Sequence, residues 1–158
     1  KFVMTNTGKA VAKDGDRILA AASFNEDRTD PETAWIRYVT VHEDRRGEGI
    51  GPRLVRSLTE ELLADAYERV KIGVNNPFAY EALYKAGFDF TGERTGMAEL
   101  VLVAPPTEAG TGRDAVSAGR YRQGMRMYLD RDLPAAVAGF AREKLDRGTP
   151  PDRVKGIR

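Results

Sequence analysis

The residues Arg45-Arg46-Gly47-Glu48-Gly49-Ile50-Gly51-Pro52 are types that, at this spacing, can hold a phosphate. Three glycines at alternate positions let the backbone turn sharply and come close to a ligand. Their N–H groups would converge at the start of a helix, where the dipole adds positive potential. Arg46 and Arg53 bring formal charge, and Arg46 is the better placed of the two. Pro52 has no N–H and so withdraws one donor, but it suits a first helical turn. Such a nest fits a compact polyanion.

Two elements must position it. A strand is predicted over Trp35–Val41, and an amphipathic helix follows the turn. The helix has Leu54, Val55, Leu58, Leu62 and Ala66 on one face and Arg53, Arg56, Glu60, Glu61, Asp65 and Glu68 largely elsewhere. Before this unit, Lys9–Lys13 and Arg17–Phe24 flank Asp14-Gly15 and read as a hairpin that the Trp35 strand extends into a meander. After it come a strand at Val70–Val74, then a helix capped by Asn76 with Pro77 in its first turn and Gly87 at its end. Phe88–Arg94 and Ala98–Val103 read as a closing hairpin.

Composition bounds the rest. At 158 residues the chain fits one domain able to bury roughly 70% of its unfolded surface. Without cysteine there is no disulfide, thiolate metal site or acyl-cysteine intermediate, and no metal is expected. No apolar run is long enough to span a bilayer, and no basic-apolar-small signal segment opens the chain, so a cytoplasmic address is the expectation. Residues 113–158 carry 11 Lys and Arg against 6 Asp and Glu. A solvated helical face accounts for that excess better than a nucleic-acid partner does.

In order and interval, these residues resemble the GCN5-related N-acetyltransferase (GNAT) superfamily, whose acetyl-CoA site carries Arg/Gln-x-x-Gly-x-Gly/Ala between its fourth strand and the next helix. Arg46, Gly49 and Gly51 fill that pattern, and Val39-Thr40-Val41, Asn76-Pro77, Ala79 and Gly87-Phe88 match further landmarks across residues 9–103. The resemblance implies an α/β (α+β) fold with a mixed, mostly antiparallel twisted sheet and flanking helices. It also implies acetyl-CoA as cosubstrate, held by Val39, Thr40, Val41, Arg46, Gly47, Glu48, Gly49, Ile50, Gly51 and Asn76. The pantetheine arm would pair with the backbone of Val39 and Val41 like an added strand. The activity implied is acetyl transfer to a primary amine of a small molecule or protein.

Catalysis is less legible. Family members often carry a Glu five residues before the Asn and a Tyr four before the Gly of Gly-Phe; counting here reaches Lys71 and Leu83. Tyr84 and Tyr80 are the candidates to protonate the leaving thiolate. His42, Glu43 and the acidic loop of Glu26, Asp27, Asp30 and Glu32 are candidates for the base, with water as a substitute. The departures at Lys71 and Leu83 motivate an alternative reading, a silent acyl-CoA-binding regulatory module.

Family domains open with a strand and one or two helices, and only eight residues precede the first hairpin here. The expected organisation is a GNAT-like domain at 1–104, a linker at 105–112, a two-helix extension at 113–148 and a flexible tail at 149–158. The extension pairs an apolar set of Val116, Tyr121, Met125, Tyr128 and Leu129 with one of Leu133, Val137, Phe140 and Leu145, the second helix capped by Asp132. These helices should fill the place of the absent N-terminal ones, in their own chain or by exchange in a homodimer.

Overall fold

The computed structural model describes residues 1–5, 8–105 and 115–157, without the side chains of 115 and 116. The expected linker beyond Pro105 and the Val116 contact lie outside the described residues. The chain is a mixed α/β fold of β1 (Phe2–Met4), β2 (Lys9–Asp14), β3 (Arg17–Glu26), β4 (Thr33–Val41), α1 (Ile50–Asp65), β5 (Arg69–Val74), α2 (Pro77–Lys85), β6 (Asp89–Arg94), β7 (Leu100–Ala104), α3 (Ala115–Leu129) and α4 (Ala135–Arg147). Two compact units divide it: Lys1–Ile72 with Val154–Arg158, and Gly73–Arg153. This division differs from the expected one at 104 and 113. It places α3 and α4 with α2, β6 and β7, because Tyr121, Met125 and Tyr128 are buried there.

In the first unit the strands lie side by side in chain order, β1 to β5, antiparallel except for the parallel β4–β5 pair. The opening strand, which the sequence reading left out, pairs Phe2 with Ala12 and Met4 with Ala10; three residues are too short to show a period. Ala10, Ala12, Ala20 and Ala22 are buried on β2 and β3, small enough for α1 to pack close. Helix α1 buries Ile50, Leu54, Val55, Leu58 and Leu62, each contributing about 1.5–3 kcal/mol. The tail, expected to fray, is anchored on this helix: Ser57 Oγ donates to the Ile157 carbonyl at 2.9 Å and accepts from the Ile157 N–H at 2.6 Å.

The second unit is built on aromatic rings. Asn76 caps α2 by accepting from the Ala79 N–H at 2.8 Å, as its type and position predict. Tyr80 packs against Tyr84, Phe90, Tyr121 and Tyr128. Helix α4 starts at Ala135 instead of Leu133, since the residue before Pro134 is disfavoured from helical geometry, and Asp132 therefore caps nothing. Gly148 ends it with φ +74°. No described helix is long and apolar enough to cross a membrane.

Candidate functional site

A fork opens in the sheet of the first unit. Strands β4 and β5 pair from Thr33↔Arg69 to Ile36↔Ile72 and no further. Their joined end is clamped: the Arg69 guanidinium donates to Asp30 at 2.7 Å and to Thr33 Oγ1 at 3.1 Å, and the Glu32 carbonyl accepts from the N–H groups of Glu68 and Arg69. At the other end, Ser23 pairs with Tyr38 but Phe24 pairs with Ile36, so Arg37 is an extra residue bulged out of β4. A bulge bends its strand and sharpens its twist, and this one sits where β4 leaves β5.

Beyond the bulge β4 remains paired with β3 through Val41↔Ala20, and the His42 N–H continues the ladder to the Leu19 carbonyl at 2.7 Å. Successive residues of a strand direct their N–H and C=O groups to opposite sides, so those of Val41 and Val39 point away from β3, into the fork. The Arg46 Nε reaches the Val41 carbonyl at 3.3 Å, in keeping with that direction. Among the described residues Val39 thus offers a free N–H and C=O, and Val41 a free N–H, as an extended chain would need to dock. The backbone of Thr40 faces β3 instead, and its side chain is exposed.

The nest follows directly. A short 3-10 turn at Glu43–Arg45 leads to Gly47 (φ +84°) and Gly49 (φ +78°), the latter capping α1 with no side-chain partner. The left-handed region is open to glycine and strained for a branched residue. Among the described residues, no acceptor lies at hydrogen-bond distance from the N–H groups of Gly47, Glu48, Gly49, Ile50 or Gly51. A Cβ on Gly51 would lie 3.2 Å from Val41 Cγ2, so glycine there lets α1 start close against β4. Nothing lies within 4 Å of a Cβ built on Gly49, which leaves that side open to a ligand.

Charge at the nest is sorted by pairing. Glu48 is held by Arg45, whose Nε lies 3.1 Å from each carboxylate oxygen, so these two charges cancel. Among the described residues, exposed Arg46 uses only Nε and has no carboxylate partner. Its terminal nitrogens remain available to a phosphate. Arg53, exposed on the first turns of α1, is likewise unpaired among the described residues.

The proposed proton donors are carried by α2. Tyr80 and Tyr84 belong to the second unit and both are fully buried. Tyr80 Oη donates to the backbone carbonyls of Arg120 and Tyr121, the latter at 3.0 Å. Burial, with Tyr84 beside it, pushes its hydroxyl well above the ordinary phenol value, which makes it a poorer acid still. Tyr84 Oη accepts from the Phe90 N–H at 2.9 Å. The geometry gives both hydroxyls a packing role, and counting along a helix could not reveal that α3 would cover them. Tyr84→Phe should therefore lower the melting temperature, at ~1–3 kcal/mol for an orphaned buried N–H, and leave any activity of the folded protein within about twofold. Thermal melts beside steady-state rates would check this. Asn76 spends its side-chain oxygen on capping α2.

Of the base candidates, His42 is exposed with Nδ1 accepting from the Asp44 N–H at 3.2 Å. Glu43 is exposed beside it. In the acidic loop Asp30 is taken up by Arg69 and Thr33, and Tyr67 Oη lies 3.5 Å from Glu26. Glu32 is raised, chiefly by its contact with Glu68. Asp27 accepts from Trp35 Nε1 at 2.5 Å and from Thr29, and the indole bond leads in lowering its carboxyl from 3.8 to about 2. Its folded pKa lies below its unfolded one, so its contribution to stability is complete above pH ~4 and is lost as pH falls through ~2. The emission of Trp35, the only tryptophan, should change over that window in the wild type and not in Asp27→Asn.

The sequence reading missed a cluster at the root of the fork. Trp35 and Lys71 are register partners on β4 and β5; the Lys71 ammonium lies 5.9 Å and the Arg37 guanidinium 4.8 Å from the indole centroid. Arg37 Nε also donates to Asn25 Oδ1 at 2.8 Å. No local motif marks this group, because β-sheet register assembles it. Among the described residues no group of three or more His, Asp or Glu is placed to hold a metal ion.

With this geometry in view, comparison with known proteins is informative. The model of the acetyltransferase (GNAT) family matches residues 3–88, more than half of the chain. The chain belongs to the GNAT acetyltransferase family. Among solved structures it is similar to an acetyltransferase from Bacillus subtilis in complex with CoA, with TM-score 0.53 and 20% identity over 61% of this chain and 76% of that one. It is also similar to yncA from Salmonella typhimurium with its cofactor acetyl-CoA, with TM-score 0.54 and 19% identity over 68% of each. At these identities the likeness is one of fold. Comparison with curated proteins finds no match.

Proposed function

We propose that the chain is an acyltransferase that takes acetyl from acetyl-CoA and passes it directly to a primary amine. The observation that carries this reading is the continuity of the nest with the free β4 edge. Five N–H groups from Gly47 to Gly51, unbonded among the described residues, lead straight to the open N–H and C=O of Val39 and the open N–H of Val41. The pyrophosphate would sit on the nest with Arg46 beside it, and pantetheine would pair with Val39 and Val41. That two structures of the same fold hold CoA and acetyl-CoA supports the assignment.

The thioester then lies along β4, where an N–H in the fork, that of Val39, can donate to the carbonyl oxygen as it becomes an oxyanion. A neutral amine attacks the carbonyl carbon, the C–S bond breaks, and the proton shed by the attacking nitrogen passes through water to the departing CoA thiolate, leaving an amide and CoA thiol. An alkylammonium of pKa about 10.4 must first lose its proton, and water carries it off, since Lys71 stands where a carboxylate base would be placed. The test is thiol release from acetyl-CoA with and without a panel of amines. Acceptor-dependent release is expected.

A second reading rests on the same departures. With Lys71 on β5 and both tyrosine hydroxyls buried, the domain could bind acyl-CoA as a regulatory module without turnover. Slow release that no amine accelerates, with CoA bound tightly, would establish it in place of the first.

A further inference from the structure

We propose that Arg37 and Lys71, set around the Trp35 indole at the root of the β4–β5 fork, form an acceptor subsite that selects amines bearing a carboxylate. This rests on the transferase reading above and names its substrate class. Both cations lie within 6 Å of one indole centroid, and neither has a carboxylate at ion-pair distance among the described residues. The nearby acid, Asp27, is bonded to Trp35 Nε1, Thr29 and the Asp30 N–H and forms an ion pair with neither cation among the described residues. Two positive charges on one aromatic platform, unpaired among the described residues, call for an anion from outside.

Geometry narrows the anion. Arg37 uses only Nε internally, on the neutral Asn25 amide, so its paired terminal nitrogens remain for a planar, two-oxygen acceptor. A carboxylate can take that edge while the apolar part of the acceptor lies on the indole. The place is right for chemistry as well. Arg37 is two residues before Val39, about 7 Å along the strand, a distance that an amine a few bonds from its carboxylate can span. Lys71 then acts as an anchor for the acceptor, which accounts for a cation where a base would otherwise stand.

The experiment uses the full chain and matched amines that differ by the carboxylate, such as phenylalanine with 2-phenylethylamine and 4-aminobutyrate with butylamine. It reads kcat/KM for each in the wild type, Arg37→Gln and Lys71→Met, together with a titration of Trp35 fluorescence by each amine. The carboxylate-bearing member of at least one pair should be favoured tenfold or more in the wild type. That preference should fall several-fold in each variant, and following its change between wild type and variant cancels the difference in amine basicity. The same amine should perturb Trp35 saturably, more weakly in the variants. Turnover of both members of every pair with an unchanged preference in the variants would overturn the subsite and leave the transferase standing. Saturable, variant-sensitive quenching by the carboxylates with no turnover of any amine would do the reverse.

Discussion

Gly49→Val is expected to lower CoA affinity a hundredfold or more and to destabilise the free protein only modestly. Valine at φ +78° meets the left-handed penalty of about 1–2 kcal/mol, or a few degrees of melting temperature for a chain of this size. Relief of that strain would rotate the Gly49 and Ile50 peptides and turn their N–H groups out of the nest. The new side chain would also enter the open space above residue 49. Each charge-assisted hydrogen bond is worth about 1.5–3 kcal/mol, so losing two accounts for a hundredfold or more. Gly49→Ala should lie between the two. Titration calorimetry reads this directly, and affinity within threefold of wild type would place the phosphates elsewhere.

The second large effect concerns the core of the second unit. Glu81 is 3% exposed, accepts from Tyr121 Oη at 2.5 Å and lies 3.1 Å from the Arg147 guanidinium. The carboxylate thereby fastens α2 to α3 and α4 at once. Glu81→Ala would leave the Tyr121 hydroxyl buried without its partner and open a cavity beside it, a loss of about 3 kcal/mol or more. The melting temperature should fall by roughly 6–12 °C. Glu81→Gln keeps an acceptor for Tyr121 and should cost less than half as much. Arg147, itself about half exposed, can be satisfied by water, so Arg147→Ala should be the mildest of the three. Equal melting temperatures for Glu81→Ala and wild type would mean that this network does not hold the unit together.

These two sites differ in how far the sequence discloses them. The nest is local: glycines at 47, 49 and 51, a flanking arginine and the apolar stripe of α1 all lie within one helix length, and each has a fixed consequence for backbone geometry. Asn76 and Gly148 were legible for the same reason, since a cap depends on the next few residues alone. Glu81 was not, because a charged residue on a helix ordinarily reads as surface, and only the tyrosine from α3 and arginine from α4 make its burial tolerable. The burial of Tyr80 and Tyr84 was hidden for the same reason. Spacing along α2 says where a hydroxyl lies on the helix, not that α3 will cover it.

The fork lies between these cases. Strand β4 was legible, and pairing through Val39 and Val41 was implied by the family resemblance. The fork opens beside the bulge at Arg37, which exists only relative to the register of β3, and sequence does not print register. The anchored end of the chain is similar: a serine in a helix interior carries no sign that the backbone of Ile157, far along the chain, will return to it.

The most direct test of the account is the melting temperature of the wild type with and without CoA, repeated for Arg46→Ala at low and high salt. CoA at about 100 times its Kd should stabilise the wild type by ~2.7 kcal/mol, a rise of several degrees. Arg46→Ala should need roughly tenfold or more additional CoA for the same rise, and its binding should respond less to salt because one phosphate-facing charge is gone. No shift in the wild type at millimolar CoA would contradict the central claim that the Gly47–Gly51 nest and the open edge of β4 form a CoA site.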